Sequence, residues 1–330
     1  MILTKTPLRV SLFGGGTDYP SFFAKNEGMV LGGTINKHIY SSALPLFSMS
    51  EELLRLNYRQ TESVCQYSDI QHPIVREWLI RNPLNEKYGI STVSDVPGGT
   101  GLGSSSAFSV GFIDLIDALN NKFRSKEGLA QAAIHLEKDI LCEPVGFQDQ
   151  YHAAYGGFSK YVFSSDGVKV QNLAYNEDDL EYLSNSCYLV YTGSTRQASS
   201  VLCKQEDRNH SGQNDSYLLE IADIANEAFH FLKDIRLNNA MESIGKLLME
   251  TWELKKKLSP EVGNGHINKI IIDLLDSGCY GAKLLGAGSG GFVLGIGPTN
   301  LEGLISEKVG SKNLIPFSFV NYGVKRIKVI

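Results

Sequence analysis

The sequence predicts a two-domain α+β protein, and three observations carry that expectation. At 330 residues the chain exceeds what most single hydrophobic cores accommodate. A stretch of four glycines and three serines, from Pro97 to Ala107, runs directly into an amphipathic helical pattern. In the second half, strand-like and helical segments are mixed without strict alternation, which argues for α+β. The expected domains are residues 1–182 and 183–330.

Residues 8 to 13, Leu8-Arg9-Val10-Ser11-Leu12-Phe13, alternate like a strand, and Gly14-Gly15-Gly16-Thr17-Asp18-Tyr19-Pro20 breaks the pattern. Arg9 and Ser11 share one face, and Asp18 sits in the loop beyond, where a strand end can offer side chains to a ligand. Val30 to Tyr40 reads as another strand pair. Residues 49 to 90 are less legible, apart from a helix after His72-Pro73 that runs through Trp78 and Ile80. Tyr88 to Val96 is strand-like and delivers the chain to the glycine stretch.

That stretch reads as a phosphate cradle. Phe108, Phe112, Leu115, Ile116 and Leu119 recur at helical spacing, so the glycines and serines occupy a turn that opens a helix. Free backbone N–H groups and the positive end of the helix dipole attract anions there, and glycine lets an oxygen approach the backbone. Serine hydroxyls can bond phosphate or ligate Mg²⁺. A plain glycine turn with serine caps has the same composition. Two better-known phosphate motifs fail. Gly245-Lys246 continues into Leu247 within a helical stretch, so it is no Walker A ending. Gly286 to Gly291 matches G-x-G-x-x-G but leads into Phe292-Val293-Leu294, a strand and not a helix.

Beyond the cradle, Ser125 can cap a helix whose apolar face runs Leu129, Ala133, Leu136, Ile140. Glu137 lies near its end, where negative charge opposes the helix dipole unless something positive, such as a metal, faces it. A solvated surface glutamate is the commoner reading of such a position. Asp149 sits among apolar and amide neighbours in Gly146-Phe147-Gln148-Asp149-Gln150, a setting a carboxylate tolerates when it has a partner or a task. Residues 158–163 and 167–173 suggest a hairpin, and the acidic run 177–181 a solvated linker. The second half opens on the strand Cys187 to Tyr191 and Thr192-Gly193-Ser194-Thr195-Arg196, and residues 207–215 read as a mobile polar loop. Helices are expected over 216–234, 239–257 and around Ile267 to Leu275, stopped by Gly278. The glycine turn 286–291 joins two strands, and further strands lie around Phe317 and Ile327.

Composition narrows the function. With a net charge of −5 and no run of lysine or arginine, the chain lacks the electrostatic footprint of a nucleic-acid or membrane partner, and local cations must hold any anionic substrate. The five cysteines are odd in number, scattered and without C-x-x-C spacing, which points to a reducing compartment and no zinc site. The N-terminus shows no apolar signal core, so a cytoplasmic location is expected.

Three glycine motifs in this order resemble the GHMP small-molecule kinases, over the whole chain. Motif one looks like Pro7 to Tyr19, motif two is the 97–107 loop and motif three is Gly286 to Gly291. The resemblance implies an N-terminal domain of ribosomal-protein-like type and a ferredoxin-like C-terminal domain, with ATP and a sugar between them. It assigns the catalytic aspartate to Asp149, paired with Arg9, and metal binding to Ser105 and Glu137. ATP and Mg²⁺ are implied at Pro97, Gly98, Gly99, Gly101, Leu102, Gly103, Ser104, Ser105 and Ser106. Substrate contacts fall on Asp18, Gly15, Gly16, Thr17, Gly288 and Gly290, and a distal phosphate on Arg196 and Lys283, with Lys37 and Lys255 behind them. Ser106 replaces the alanine usual after the serine pair, so which of Ser104, Ser105 and Ser106 reaches the metal stays open. So does the choice between base and orienting group for Asp149. The triple glycine, the 192–198 segment and Trp252 to Lys256 look more like heptose 7-phosphate kinases, with L-fucose kinases next. The implied reaction is phosphoryl transfer from ATP to the anomeric hydroxyl of a small-molecule sugar or sugar phosphate, and a homodimer is left open. A sugar-binding regulator without catalysis is the competing reading, opposed by the presence of Arg9, Ser105, Glu137 and Asp149.

Overall fold

The computed structural model describes residues 1–194, 199–259, 262–286, 288 and 290–328. Its elements run β1 (Ile2–Phe13), α1 (Pro20–Phe23), β2 (Gly28–Pro45), β3 (Leu54–Asn57), β4 (Thr61–Val64), α2 (Pro73–Arg81), β5 (Tyr88–Ser94), α3 (Ser104–Leu119), α4 (Lys126–Ile134) and α5 (Gln148–Tyr155). Next come β6 (Phe158–Ser164), β7 (Gly167–Asn172), α6 (Glu177–Asn185), β8 (Cys187–Tyr191), α7 (Ser199–His210), α8 (Asp215–Leu232), α9 (Ala240–Leu258) and α10 (Gly265–Asp276). The chain closes with β9 (Gly281–Leu284), β10 (Phe292–Ile296), α11 (Glu302–Val309), β11 (Leu314–Ile315) and β12 (Lys325–Lys328).

Two sheets organise the molecule. The first has the order β12-β1-β2-β5-β3-β4, and β6, carrying β7, pairs with the other end of β2. What the sequence suggests as a strand pair over Val30 to Tyr40 is one 18-residue strand. Its Gly28–Gly33 half pairs with β6 and its Ile39–Pro45 half with β5, so a single long strand serves two neighbours in place of a hairpin. The second sheet is antiparallel, in the order β11-β8-β10-β9.

Helix α3 lies on the first sheet, with Val110, Phe112, Ile113, Leu115 and Ile116 fully buried against Leu8, Val10 and Leu12 of β1. Burying each such side chain is worth about 1.5–3 kcal/mol, which anchors the start of α3 to the end of β1. The last strand returns to the first sheet: Arg326 of β12 donates from Nε and Nη2 to Asp114 of α3 at 2.9 and 2.6 Å.

Three local expectations are corrected. The acidic run 177–181 is the first turn of α6, capped by the Asn176 side chain accepting from the Asp179 N–H at 2.8 Å, so its carboxylates favour the helix dipole. Residues 207–210 belong to α7, and the turn after it is tied down by Asn214 Nδ2, which donates to the Leu258 carbonyl at 3.2 Å. The helix after Ser125 gives way at His135 to a π-helical turn over 135–140, with the Leu141 N–H reaching back to the Leu136 carbonyl. The boundary expected at 182/183 falls inside α6. We propose a division that follows the sheets, β1 to β7 with β12 in one domain and β8 to β11 in the other.

Helix α9 packs so closely on β9 that a Cβ built on Gly281 would stand 1.9 Å from the Gly245 carbonyl oxygen. Neither backbone can yield alone. Gly281→Val is therefore expected to lower stability by about 3 kcal/mol, read as an earlier urea midpoint with an unchanged slope.

Candidate active site

A cavity of about 370 Å³ opens where the two sheets meet, lined by the end of β1, the first glycine turn, the glycine–serine loop, α5, α7 and α9. At its centre Arg9 and Asp149 form a two-pronged ion pair. Arg9 Nε donates to Asp149 Oδ1 at 2.8 Å, and Nη2 to Oδ2 at 2.9 Å. Nη1 donates to the Gly101 carbonyl at 2.6 Å, while the Arg9 backbone N–H donates to the Leu102 carbonyl at 3.0 Å. One residue thus fixes both the carboxylate and the loop. Two of the five guanidinium N–H groups keep no protein partner among the described residues.

The local chain is built for this approach. Gly103 is the N-cap of α3 with φ +72°, and a Cβ there would sit 3.2 Å from Arg9 Cγ and 3.3 Å from Asp149 Cγ. No side chain caps α3, which leaves its first N–H groups available to an anion. Asp149 lies in the first turn of α5, where its charge suits the dipole. Gly101 and Gly286 back onto each other: a Cβ on Gly286 would meet Gly101 Cα at 2.4 Å, so the second and third glycine turns interlock across the two halves.

Asp18 is fully buried in the cavity wall, its carboxylate accepting from the Gly16 N–H at 3.0 Å and the Gln148 N–H at 3.1 Å. Burial raises its pKa, and the Asp149 charge adds to the shift. Lys255 and Lys283 also line the cavity. Lys255 Nζ donates to the carbonyls of Leu284, at 3.3 Å, and Gly286, and Lys283 Nζ donates to the Leu12 carbonyl. Burial, then the nearby Arg9, pushes Lys255 down to about 8, and Lys283 falls well below the usual lysine range for the same first cause.

Glu137, in the π-helical turn, is fully buried behind the serine run. Its Oε2 accepts from Ser106 Oγ at 2.9 Å and Gln150 Nε2 at 2.5 Å, while Oε1 has no hydrogen-bond partner among the described residues. Desolvation raises its pKa to about 7, outweighing the hydrogen bonds that lower it. Of the three serines left open, the structure brings Ser106 to Glu137, while Ser105 is exposed and lines the cavity. Among the described residues no three His, Cys, Asp or Glu side chains form a metal cage. One carboxylate with an orphan oxygen beside serine hydroxyls instead suits a hard cation carried in on phosphate oxygens, which fits Mg²⁺.

Several expected residues stand away from the cavity. Leu102 is a core side chain, Pro97 and Gly98 lie outside the lining, and Thr17 is buried with Oγ1 bridging the Gly14 carbonyl and the Met29 backbone. Gly288 packs on Val262 and Gly290 on Ser194, and neither is part of the cavity lining. Lys37 is likewise absent from the lining. Gly15, Gly16, Gly99, Gly101, Gly103 and Ser104 to Ser106 do line it. Arg196 lies outside the described residues. Sequence reasoning passed over Gln148, Glu143 and Thr251; the place of Gln148 beside Asp149, and of Thr251 one helical turn before Lys255, were the available signals.

The GHMP kinases N terminal domain matches residues 74–157, and the GHMP kinases C terminal domain matches residues 231–313. The chain is 29% identical to the D-glycero-alpha-D-manno-heptose 7-phosphate kinase of Campylobacter jejuni, over 99% of both chains. It is 25% identical to the bifunctional fucokinase/GDP-fucose pyrophosphorylase of Arabidopsis thaliana, over 87% of this chain and 29% of that one. A crystal structure of a D-glycero-D-manno-heptose 1-phosphate kinase from Bacteroides thetaiotaomicron superposes with a TM-score of 0.80 at 21% identity, over 100% of both chains.

Because the folded pKa of Glu137 lies above the ordinary carboxylate value of 4.5, its contribution to stability is complete below about pH 4.5 and is lost as pH rises through about 7. Glu137→Gln, which cannot ionise, is expected to gain stability relative to the parent between pH 5 and pH 8, by up to about 3 kcal/mol. Melting curves at both values, without nucleotide or metal, check this; a difference independent of pH would contradict it.

Proposed function

This chain belongs to the GHMP kinases and is an ATP-dependent sugar kinase, and from that premise we propose that it phosphorylates the anomeric hydroxyl of D-glycero-D-manno-heptose 7-phosphate. The observation that carries the chemistry is the Arg9–Asp149 pair at the foot of the glycine–serine loop. Asp149, held by both its oxygens, orients the acceptor hydroxyl and takes its proton as the bond from the sugar oxygen to the γ-phosphorus forms and the bond from that phosphorus to the bridging oxygen breaks, with ADP leaving. The two uncommitted N–H groups of Arg9 face the transferring phosphoryl group. Phosphoryl transfer passes through a loose transition state, so positioning and charge neutralisation supply most of the catalysis. The first turn of α3, from Gly103 to Ser106, cradles the nucleotide phosphates. When bound, Mg²⁺ would neutralise phosphate charge, and Ser105, Ser106 and Glu137 would hold it. Asp18, with Gly15 and Gly16, faces the sugar.

The heptose phosphate is supported by the Campylobacter jejuni relative and by two lysines reaching the cavity from the second half of an acidic protein. Lys255 and Lys283 are the candidates for a distal phosphate among the described residues, with Arg196 as the third. An unphosphorylated sugar such as L-fucose or galactose is the second reading. It is favoured by the fucokinase relative and by the backbone carbonyls already paired with both ammonium groups.

Asp149→Asn is expected to lower kcat about a hundredfold or more with KM values little changed; near-normal turnover would reject the role given to Asp149. Turnover on a panel of the heptose 7-phosphate, its 1-phosphate isomer, L-fucose and galactose separates the substrates. If Lys255 holds the distal phosphate, its charged form is required, so KM for the sugar phosphate rises as pH passes upward through about 8. Lys255→Met should raise that KM by about 10-fold to 100-fold and abolish the pH dependence, leaving KM for ATP unchanged. A matching loss for ATP would move Lys255 to the nucleotide.

A further inference from the structure

Two polar side chains in the cavity wall have no role in the chemistry above, and each carries a buried oxygen with no protein partner among the described residues. Ser11 and Gln148 are 7% and 9% exposed, and both Ser11 Oγ and Gln148 Oε1 are buried without a hydrogen bond. Buried polar atoms are nearly always satisfied, so two orphans on one wall of a cavity call for an explanation.

Their placement is set by the fold. Ser11 stands two residues beyond Arg9 on the same face of β1. Gln148 directly precedes Asp149 at the start of α5, and its backbone N–H donates to Asp18 at 3.1 Å. The carboxamide N–H also lies against the Asp18 carboxylate, which leaves Oε1 as the free end. Gly15 lies between them: a Cβ on Gly15 would be 3.8 Å from Ser11 Oγ and 3.8 Å from the Gln148 carboxamide nitrogen. Without that methyl, the approach to both groups is open.

We propose that Ser11 and Gln148 form a hydroxyl-reading subsite for the acceptor sugar, holding the C2 hydroxyl beside the reacting anomeric one. A hydroxyl can donate to Gln148 Oε1 and accept from the Ser11 O–H, which satisfies both orphans at once. The subsite adjoins Asp149 in sequence and shares the strand face of Arg9, so the hydroxyl it reads neighbours the one that is phosphorylated. An analogue lacking that hydroxyl leaves the pair unsatisfied and is rejected for that reason. This inference rests on the anomeric sugar-kinase reading.

The experiment uses the full-length protein with saturating ATP, on whichever sugar of the panel the wild type accepts and on its 2-deoxy analogue. Ser11→Ala and Gln148→Leu are each expected to raise KM for the sugar about tenfold, with KM for ATP unchanged. Gly15→Ala meets only ordinary contact distances, so the protein folds while the methyl enters the approach, and the same KM rises further. Wild type should prefer the parent sugar over the 2-deoxy analogue by tenfold or more, and the Ser11→Ala, Gln148→Leu double variant should lose that preference. Full preference in the double variant, or unchanged KM in all three single variants, assigns the orphans to water and overturns the inference while leaving the kinase intact. Wild-type turnover on no sugar of the panel overturns the reading it rests on as well.

Discussion

The Arg9–Asp149 ion pair is the constraint to which the rest of the site conforms. Its two hydrogen bonds fix the guanidinium plane, the third ties it to the Gly101 carbonyl, and the backbone of Arg9 is bonded to Leu102. With side chains 7% and 24% exposed, removing either partner would strand a largely desolvated charge, at a cost of about 3–5 kcal/mol. The pair therefore holds three separate stretches of chain in register: the end of β1, the glycine–serine loop and the start of α5. Gly103 answers to the same constraint, since its left-handed backbone and missing Cβ leave the space the ion pair fills.

The second half of the chain completes the site by close backbone contact. Gly286 meets Gly101, and a Cβ on Gly291 would collide with the Thr100 carbonyl at 2.2 Å, so the third glycine turn works as a fitted surface against the second. Lys283 adds a tie from β9 to the end of β1. Because these contacts lie at the cavity floor, relative movement of the two sheets would reshape the site, and the return of β12 to β1 and α3 joins the chain's two ends to the same sheet.

Charge and desolvation set the character of the cavity. Arg9, Lys255 and Lys283 converge on it in a protein whose net charge is −5, opposed by Asp18, Asp149 and Glu143. Both lysines are drawn toward neutrality by burial, while Asp18 and Glu137 are drawn the same way from the opposite sign. Such groups are costly in the empty protein and regain favourable interactions when a charged, oxygen-rich ligand fills the space. The orphan oxygens of Ser11, Gln148 and Glu137 belong to the same pattern, since the fold leaves polar capacity unspent where a ligand is to arrive.

The sequence by itself determined the features that are local. Glycines at fixed offsets before a helical repeat specify a turn and a helix start, and that pattern placed Gly101, Gly103 and Ser104 to Ser106 together; a strand of period two placed Arg9 and Ser11 on one face. It also supplied the α+β class, because mixed periodicities are visible without knowing what packs where. Tertiary structure decided how those residues meet. The family resemblance implied the union of Arg9 with Asp149 across 140 positions, but its two-pronged geometry comes only from the packing of β1 against α5. The serine that reaches Glu137 depends on a π-helical turn that apolar spacing does not distinguish from an ordinary helix. Thr17, Gly288 and Gly290 sit inside recognisable motifs, yet the cavity excludes them, since a motif fixes the backbone of a turn while only the packing around it decides which side of that turn is open.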